Sequence, residues 1–101
     1  MYKGYILKDV IKSEKPEKKL TAVFYNKEKD REKKVHFGAK NMDDFTLTGD
    51  KEQRKRYRTR HQKDLKTRDP LRAGFLSYYI LWGDSKSRSV NIKNYKKRFN
   101  L

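Results

Sequence analysis

The stretch KEQRKRYRTRHQKD, Lys51 to Asp64, carries six Lys or Arg residues between Lys51 and Arg60, opposed in that interval by Glu52 alone. A guanidinium group is a flat fork of donors that suits phosphate oxygens and guanine edges. The chemistry on offer is therefore anion recognition. On a helix, Tyr57, His61 and Leu65 fall at i, i+4 and i+8 and form a narrow inward stripe with Arg54 beside it, while Lys55, Arg56, Thr59, Arg60 and Lys63 face away. The expected phosphate contacts are Lys55, Arg56, Arg60 and Lys63, joined by Arg54, Arg58, Arg68, Arg72, Lys96, Lys97 and Arg98. Charge runs are usually no more than solvated faces. What favours binding here is that the charge is sorted to one side of an arginine-rich segment.

Other candidate groups carry less. His36 and His61 are the only histidines, and no HxxxH or HxxE spacing surrounds either. His61 shares the inward stripe and is expected to be a hydrogen-bonded packing residue. Asp43 and Asp44 could hold Mg²⁺ in a nuclease, with Asp50 or His36 completing the set. Acids before a loop Phe are more often turn residues. Tyr25, Tyr57, Tyr79 and Trp82 could stack on unpaired bases, but their helical spacing favours core packing. Gly38 and Gly49 lack the Gly-Lys-Ser/Thr signature of a phosphate loop and read as turn glycines. The C-terminal KNYKKRF is basic and amphipathic, as an anionic membrane surface requires. It is short, however, and its apolar residues are needed in so small a core. The sequence implies no catalytic residue, no metal and no cofactor.

The chain that must position these groups has 101 residues and one domain's worth of core, so we read residues 1–101 as a single small basic domain. Hydrophobic residues make up only 34% and charged residues 41%, a composition bordering on the disordered class. Thirteen aromatic residues and clustered apolar positions argue for a fold. The absence of cysteine excludes disulfides, thiolate metal sites and cysteine nucleophiles. The N-terminal MYKGYILKDVIKS is broken by Lys3, Lys8, Asp9 and Lys12 and is no signal sequence. No apolar run approaches the roughly 20 residues of a membrane span. The net charge of +15 divides as +4 over residues 1–49 and +11 over 50–101, and eight of the nine arginines lie in the second part. That asymmetry places the anion-binding surface in the C-terminal half, and the charge favours a polyanionic partner: DNA, RNA or an anionic membrane surface.

The first half reads as strands. YKGYILKDVIK puts Tyr5, Leu7 and Asp9 on one face, with Ile6 and Val10 less regular. SEKPEKK is a turn at Pro16, and LTAVFYN is the clearest strand. KEKDREKK is a charged turn before a short strand VHFGA, in which Val35 and Phe37 oppose His36. GAKNMDDFTLTGD is a connector with Phe45 and Leu47 as anchors, and Thr48 or Asp50 caps the following helix. The second half reads as helices: one over Asp50 to Leu65, and one capped by Asp69, with Pro70 at its first position and Gly83 at its end. In that second helix Leu71, Phe75, Tyr78 and Trp82 recur at i, i+4, i+7 and i+11, with Leu76, Ile80 and Leu81 filling the rest. It should be the buried centre of the core. A last helix starts at Ser87 or Ser89 and turns Ile92, Tyr95 and Phe99 inward, leaving Lys93, Lys96, Lys97 and Arg98 mostly outside. The expected fold is α+β: an antiparallel sheet of two to three strands packed on two to three helices.

The segments KKLTAVFY, KKVHFGAKNMDDFT, DKEQRKRYRTRH, DPLRAGFLSYYILWG and NYKKRFNL, with HFGAK, RYRTRH, AGFLS and ILW in that order, lie between Lys18 and Leu101. In them the chain resembles a family of small basic proteins of nucleocytoplasmic large DNA viruses, including giant amoeba and algal viruses. The N-terminal MYKGYILKDVIKSE lies outside the resemblance. The resemblance implies a viral, virion-associated protein found in the virion interior and in the cytoplasm or nucleus of the infected cell, and not secreted. It brings no assigned catalytic residue. Charge and resemblance together lead to a non-enzymatic protein that binds viral DNA without sequence preference, in packaging or in a nucleoid. The alternatives are a virion-internal module meeting acidic viral proteins and a metal-dependent nuclease.

Overall fold

A computed structural model describes residues 1–101. Three strands form an antiparallel meander: β1 (Tyr5–Lys12), β2 (Lys18–Asn26) and β3 (Arg31–Ala39), with β2 in the middle. Helical segments follow: α1 (Phe45–Thr48), α2 (Lys51–His61), a 3-10 turn over Gln62–Thr67, α3 (Ala73–Leu76) widening into a π turn over Ser77–Leu81, and α4 (Arg88–Phe99). The architecture is the expected α+β arrangement, with three strands and four helices, two of them single turns.

The register of β2 explains which face meets the helices. Leu20, Ala22 and Phe24 alternate on one side and pair with Val10 and Leu7 of β1 and with Val35 and Phe37 of β3. This face joins Phe75, Leu76, Ile80 and Leu81 of the central helix and Tyr95 of α4 in one buried cluster. A bulge between Leu7 and Asp9 changes the face reading of β1. One extra residue shifts every side chain beyond it to the other side, so Val10, and not Asp9, continues the core face begun by Leu7. β3 begins four residues earlier than VHFGA suggests: Arg31–Lys34 extend the ladder, and the turn is confined to Lys27–Asp30. On the far face, Thr21 and Val23 are buried without a covering element. There the Lys8–Glu32 ion pair, 2.9 Å, spans the middle strand from β1 to β3. The outer edge of β1 is also engaged: Leu7 N–H donates to the Leu101 carbonyl at 3.0 Å, and Leu101 is itself buried.

The central helix departs from its expected limits. Asp69 accepts from Leu71 N–H at 2.9 Å, but this closes a turn over Asp69–Arg72, and the helix starts only at Ala73. Its last turn takes π geometry, with Trp82 N–H donating to the Ser77 carbonyl at 3.0 Å. The wider turn leaves Tyr78 and Tyr79 half-buried while Ile80, Leu81 and Trp82 all enter the core. Gly83 is buried and is not a left-handed cap. A Cβ there would lie 2.2 Å from the Tyr79 carbonyl oxygen, so close approach is what requires glycine. Gly38 belongs to β3 and not to a turn; its φ is +83° and a Cβ would strike the Leu81 side chain at 2.5 Å. Gly49 does end α1 in left-handed geometry, at φ 66°. Of the two connector anchors, Phe45 is buried and Leu47 is exposed, because the single turn of α1 can direct only one of them inward.

Candidate nucleic-acid interface

Helix α2 is capped by Asp50, whose carboxylate accepts from Glu52 N–H at 3.0 Å and Gln53 N–H at 3.1 Å. No residue of α2 is fully buried, so what docks the helix is a set of specific polar and aromatic contacts. Tyr57 lies between two rings: Trp82 at 4.2 Å and 7°, and His61 at 4.1 Å and 22°. His61 Nδ1 pairs with Asp64 Oδ2 at 3.0 Å, in line with its expected packing role. Burial, reinforced by the Asp64 carboxylate, pushes the Tyr57 phenol up to about 12.

Arg54 and Arg58 share this inner face, and the four residues Arg54, Tyr57, Arg58 and His61 stand at i, i+3, i+4 and i+7. Arg54 Nη1 donates to the carbonyls of Gly83 and Asp84 at 3.2 and 3.3 Å and lies 4.3 Å over the Phe45 ring. Arg58 Nε donates to the Trp82 carbonyl and Nη2 to Asp84 Oδ1, both at 2.9 Å. These arginines cap the carbonyls left open where the central helix ends. The hydrogen bond from Arg58, with the charges of Arg58, Arg54 and Arg98, holds the Asp84 carboxyl below its ordinary range.

Lys55, Arg56 and Arg60 occupy the outer face of α2, and Lys63 follows on the 3-10 turn, because the α-helix expected to run to Leu65 ends at His61. All four are exposed, and none has a carboxylate within ion-pair distance. Arg68 follows at the end of the 3-10 turn, exposed and likewise unpaired. Arg72 is exposed and leans on Asp69 at 3.4 Å. On α4, Lys96 and Lys97 are exposed and unpaired, whereas Arg98 lies 4.8 Å over the Tyr79 ring and shares a cavity of about 440 Å³ with Arg58 and Asp84. The expected contacts thus divide into an open stripe on α2, an arginine group around Asp84, and a separate exposed pair on α4.

Asp44 is the most constrained acid. It caps α1 by accepting from Thr46 N–H at 2.8 Å, and its Oδ2 meets Lys19 Nζ at 2.5 Å and Arg88 Nη2 at 3.2 Å. Burial pushes its carboxyl up, but the hydrogen bonds from Lys19 and Thr46 and the charges of Lys19 and Arg88 outweigh it and leave the group below its ordinary range. Both oxygens are engaged, so a metal at Asp43–Asp44 would have to displace two cations. Nor do three His, Asp, Glu or Cys side chains converge anywhere as a metal cluster. His36 Nδ1 is within hydrogen-bond distance of Ser13 Oγ and Thr21 Oγ1, at 2.9 and 2.7 Å, on the far face of the sheet. Tyr79 joins Phe75, Tyr78, Tyr95 and Phe99 in an aromatic cluster, and Tyr25 hydrogen-bonds Asp30.

Sequence reasoning missed two features. Asn91, buried on α4, donates to the carbonyls of Ile80 and Ser85 at 2.8 and 2.7 Å and accepts from Ser85 N–H, fixing the loop between the last two helices. The other is a cleft of about 610 Å³ walled by the connector after β3 on one side and by α2 and the central helix on the other. Trp82, Tyr57 and His61 line it, with Arg60 and Lys18 among its charged residues. Spacing along the chain signals neither: a lone Asn on a helix carries no periodic pattern, and the cleft joins segments distant in sequence.

No helix is long and apolar enough to cross a membrane. No curated protein and no solved structure matches the chain. Residues 8–61, from the first strand through the end of α2, match a family of unknown function (DUF5754). The match takes in most of β1, all of β2 and β3, and the basic helix, more than half of the sequence, and the chain belongs to that family.

Proposed function

We propose that the protein is a non-enzymatic nucleic-acid-binding protein that holds DNA through phosphate contacts, without sequence preference, in the packaging or nucleoid of a large DNA virus. The observation that carries this reading is the outer face of α2 and the turn after it: Lys55, Arg56, Arg60 and Lys63 are exposed and have no internal anion to neutralise them. A folded domain that leaves such a stripe unpaired at a net charge of +15 stores repulsion that a polyanion relieves. Counterion release then supplies affinity with no need for base contacts. Arg54 and Arg58 support the stripe from inside by docking the helix, and Lys96, Lys97, Arg68 and Arg72 extend the positive field. The engagement of both Asp44 oxygens favours binding over a metal-dependent nuclease.

The test is a salt titration of DNA binding. The unaltered protein should shift duplex DNA at about 50 mM salt and lose affinity steeply as salt rises. Failure to shift DNA at that salt overturns the reading. Capture of acidic proteins that survives nuclease treatment would instead favour an interaction module.

A further inference from the structure

The cleft lined by Trp82, Tyr57 and His61 differs in chemistry from the basic stripe beside it. Its charged side chains are three cations, Lys18, Lys19 and Arg60, and three carboxylates, Asp43, Asp44 and Asp64. Asp44 is tied to Lys19 and Arg88, and Asp64 to His61. A phosphate requires donors only and would meet carboxylates on the wall. A neutral planar group with both donors and acceptors on its edge fits better. Of the polar groups, Lys18 and Asp43 have no ion-pair partner, and the Gln53 side chain uses only its carbonyl oxygen, which accepts from the Thr48 hydroxyl at 3.1 Å. Donors and an acceptor are thus available within the one cleft.

The ring stack supplies the other half of the recognition. Trp82 is almost fully buried, Tyr57 is enclosed between two rings, and His61 ends the stack with 38% of its side chain exposed. A terminal aromatic ring opening on a cleft is a stacking platform. The cavity volume lies within the usual range for small-ligand sites, roughly 300–1,000 Å³. Arg60 joins the two surfaces: it belongs to the exposed stripe of α2 and also lines the cleft. A strand whose phosphates lie on that stripe would bring its bases to the mouth of the cleft.

We propose that this cleft receives an unpaired nucleobase, so that the protein prefers single-stranded or frayed nucleic acid to an intact duplex. The proposal rests on the phosphate-binding reading above and adds to it a second class of contact. In a duplex the bases are stacked on each other, and the cleft stays empty.

Trp82 is the only tryptophan, which makes its fluorescence a direct reporter of the cleft in the unaltered protein. Titration with a short single-stranded oligonucleotide, as DNA and as RNA, should quench Trp82 and give at least fivefold tighter binding than a duplex of equal length for one or both sugars. His61→Ala should weaken single-strand binding about fivefold or more and change duplex binding less than twofold, and His61→Phe should restore it. Equal binding of single strand and duplex with unchanged Trp82 emission overturns the proposal and leaves the phosphate reading standing. So does a His61→Ala variant that weakens both forms alike. Absence of binding to every form at about 50 mM salt overturns both.

Discussion

Arg54 and Arg56 stand two residues apart on α2 and have opposite roles. Arg54 turns inward over Phe45 and donates to the carbonyls of Gly83 and Asp84, and Arg58, one turn on, donates to the Trp82 carbonyl and the Asp84 carboxylate. Arg56 and Arg60 reach solvent and meet no acid. Composition counts these four residues alike, but only the second pair is free to bind a partner. A basic helix on a small domain must secure itself and present charge at once. This one divides the tasks between its two faces, and it uses guanidinium groups for docking where a larger protein would use Leu or Ile.

The division can be broken from the inside. The largest effect should come from the internal cation site joining the connector to the sheet and α4. Asp44→Ala leaves the nearly buried Lys19 without its anion and should cost about 3 kcal/mol in urea denaturation. The same carboxylate sets an acid limit. Its folded pKa is lowered, so its contribution is fully present above the unfolded carboxylate pKa of about 3.9 and is lost as pH falls through the lowered value. Denaturation midpoints followed downward from pH 6 should drop in that window, and Asp44→Asn should flatten the drop.

Arg58→Ala should come next, at about 1–2 kcal/mol, mainly from the unpaired Trp82 carbonyl, since Asp84 is largely exposed and its ion pair is screened. The outer face should behave in reverse. Arg56→Ala with Arg60→Ala should change stability by less than about 0.5 kcal/mol while lowering the salt slope of DNA binding by about two. Lys63→Ala alone should lower that slope by about one and leave the melting curve unchanged. If the double variant unfolds the protein, or if Arg58→Ala affects binding alone, the two faces are not distinct.

Much of this was legible in the residue pattern. Alternation in LTAVFYN fixes β2 and its core face, and the apolar run from Leu71 to Trp82 announces a buried helix. The outer stripe of α2 follows from spacing alone. Arg58 was not legible as a docking residue, although Arg54, Tyr57, Arg58 and His61 share the spacing of an amphipathic stripe. Hydrophobic periodicity passes over a stripe made of Arg, Tyr and His. The bulge at Lys8 leaves no signature in composition, and it reverses the faces of Asp9 and Val10. Asp44, Lys19 and Arg88 lie 25 and 44 residues apart, so no local pattern announces their meeting.

The proposed DNA binding gives the margins of the sheet a further consequence. Molecules held side by side along a strand are concentrated enough for exposed strands to pair across neighbours. β1 is kinked by its bulge and its outer side is bonded to Leu101, while β3 opens with Arg31, Lys33 and Lys34 on the opposite rim. One rim is blocked and the other repels its copies. Under the proposed function, domains crowded onto a shared strand would touch without their sheets fusing, and dense coating would stay reversible.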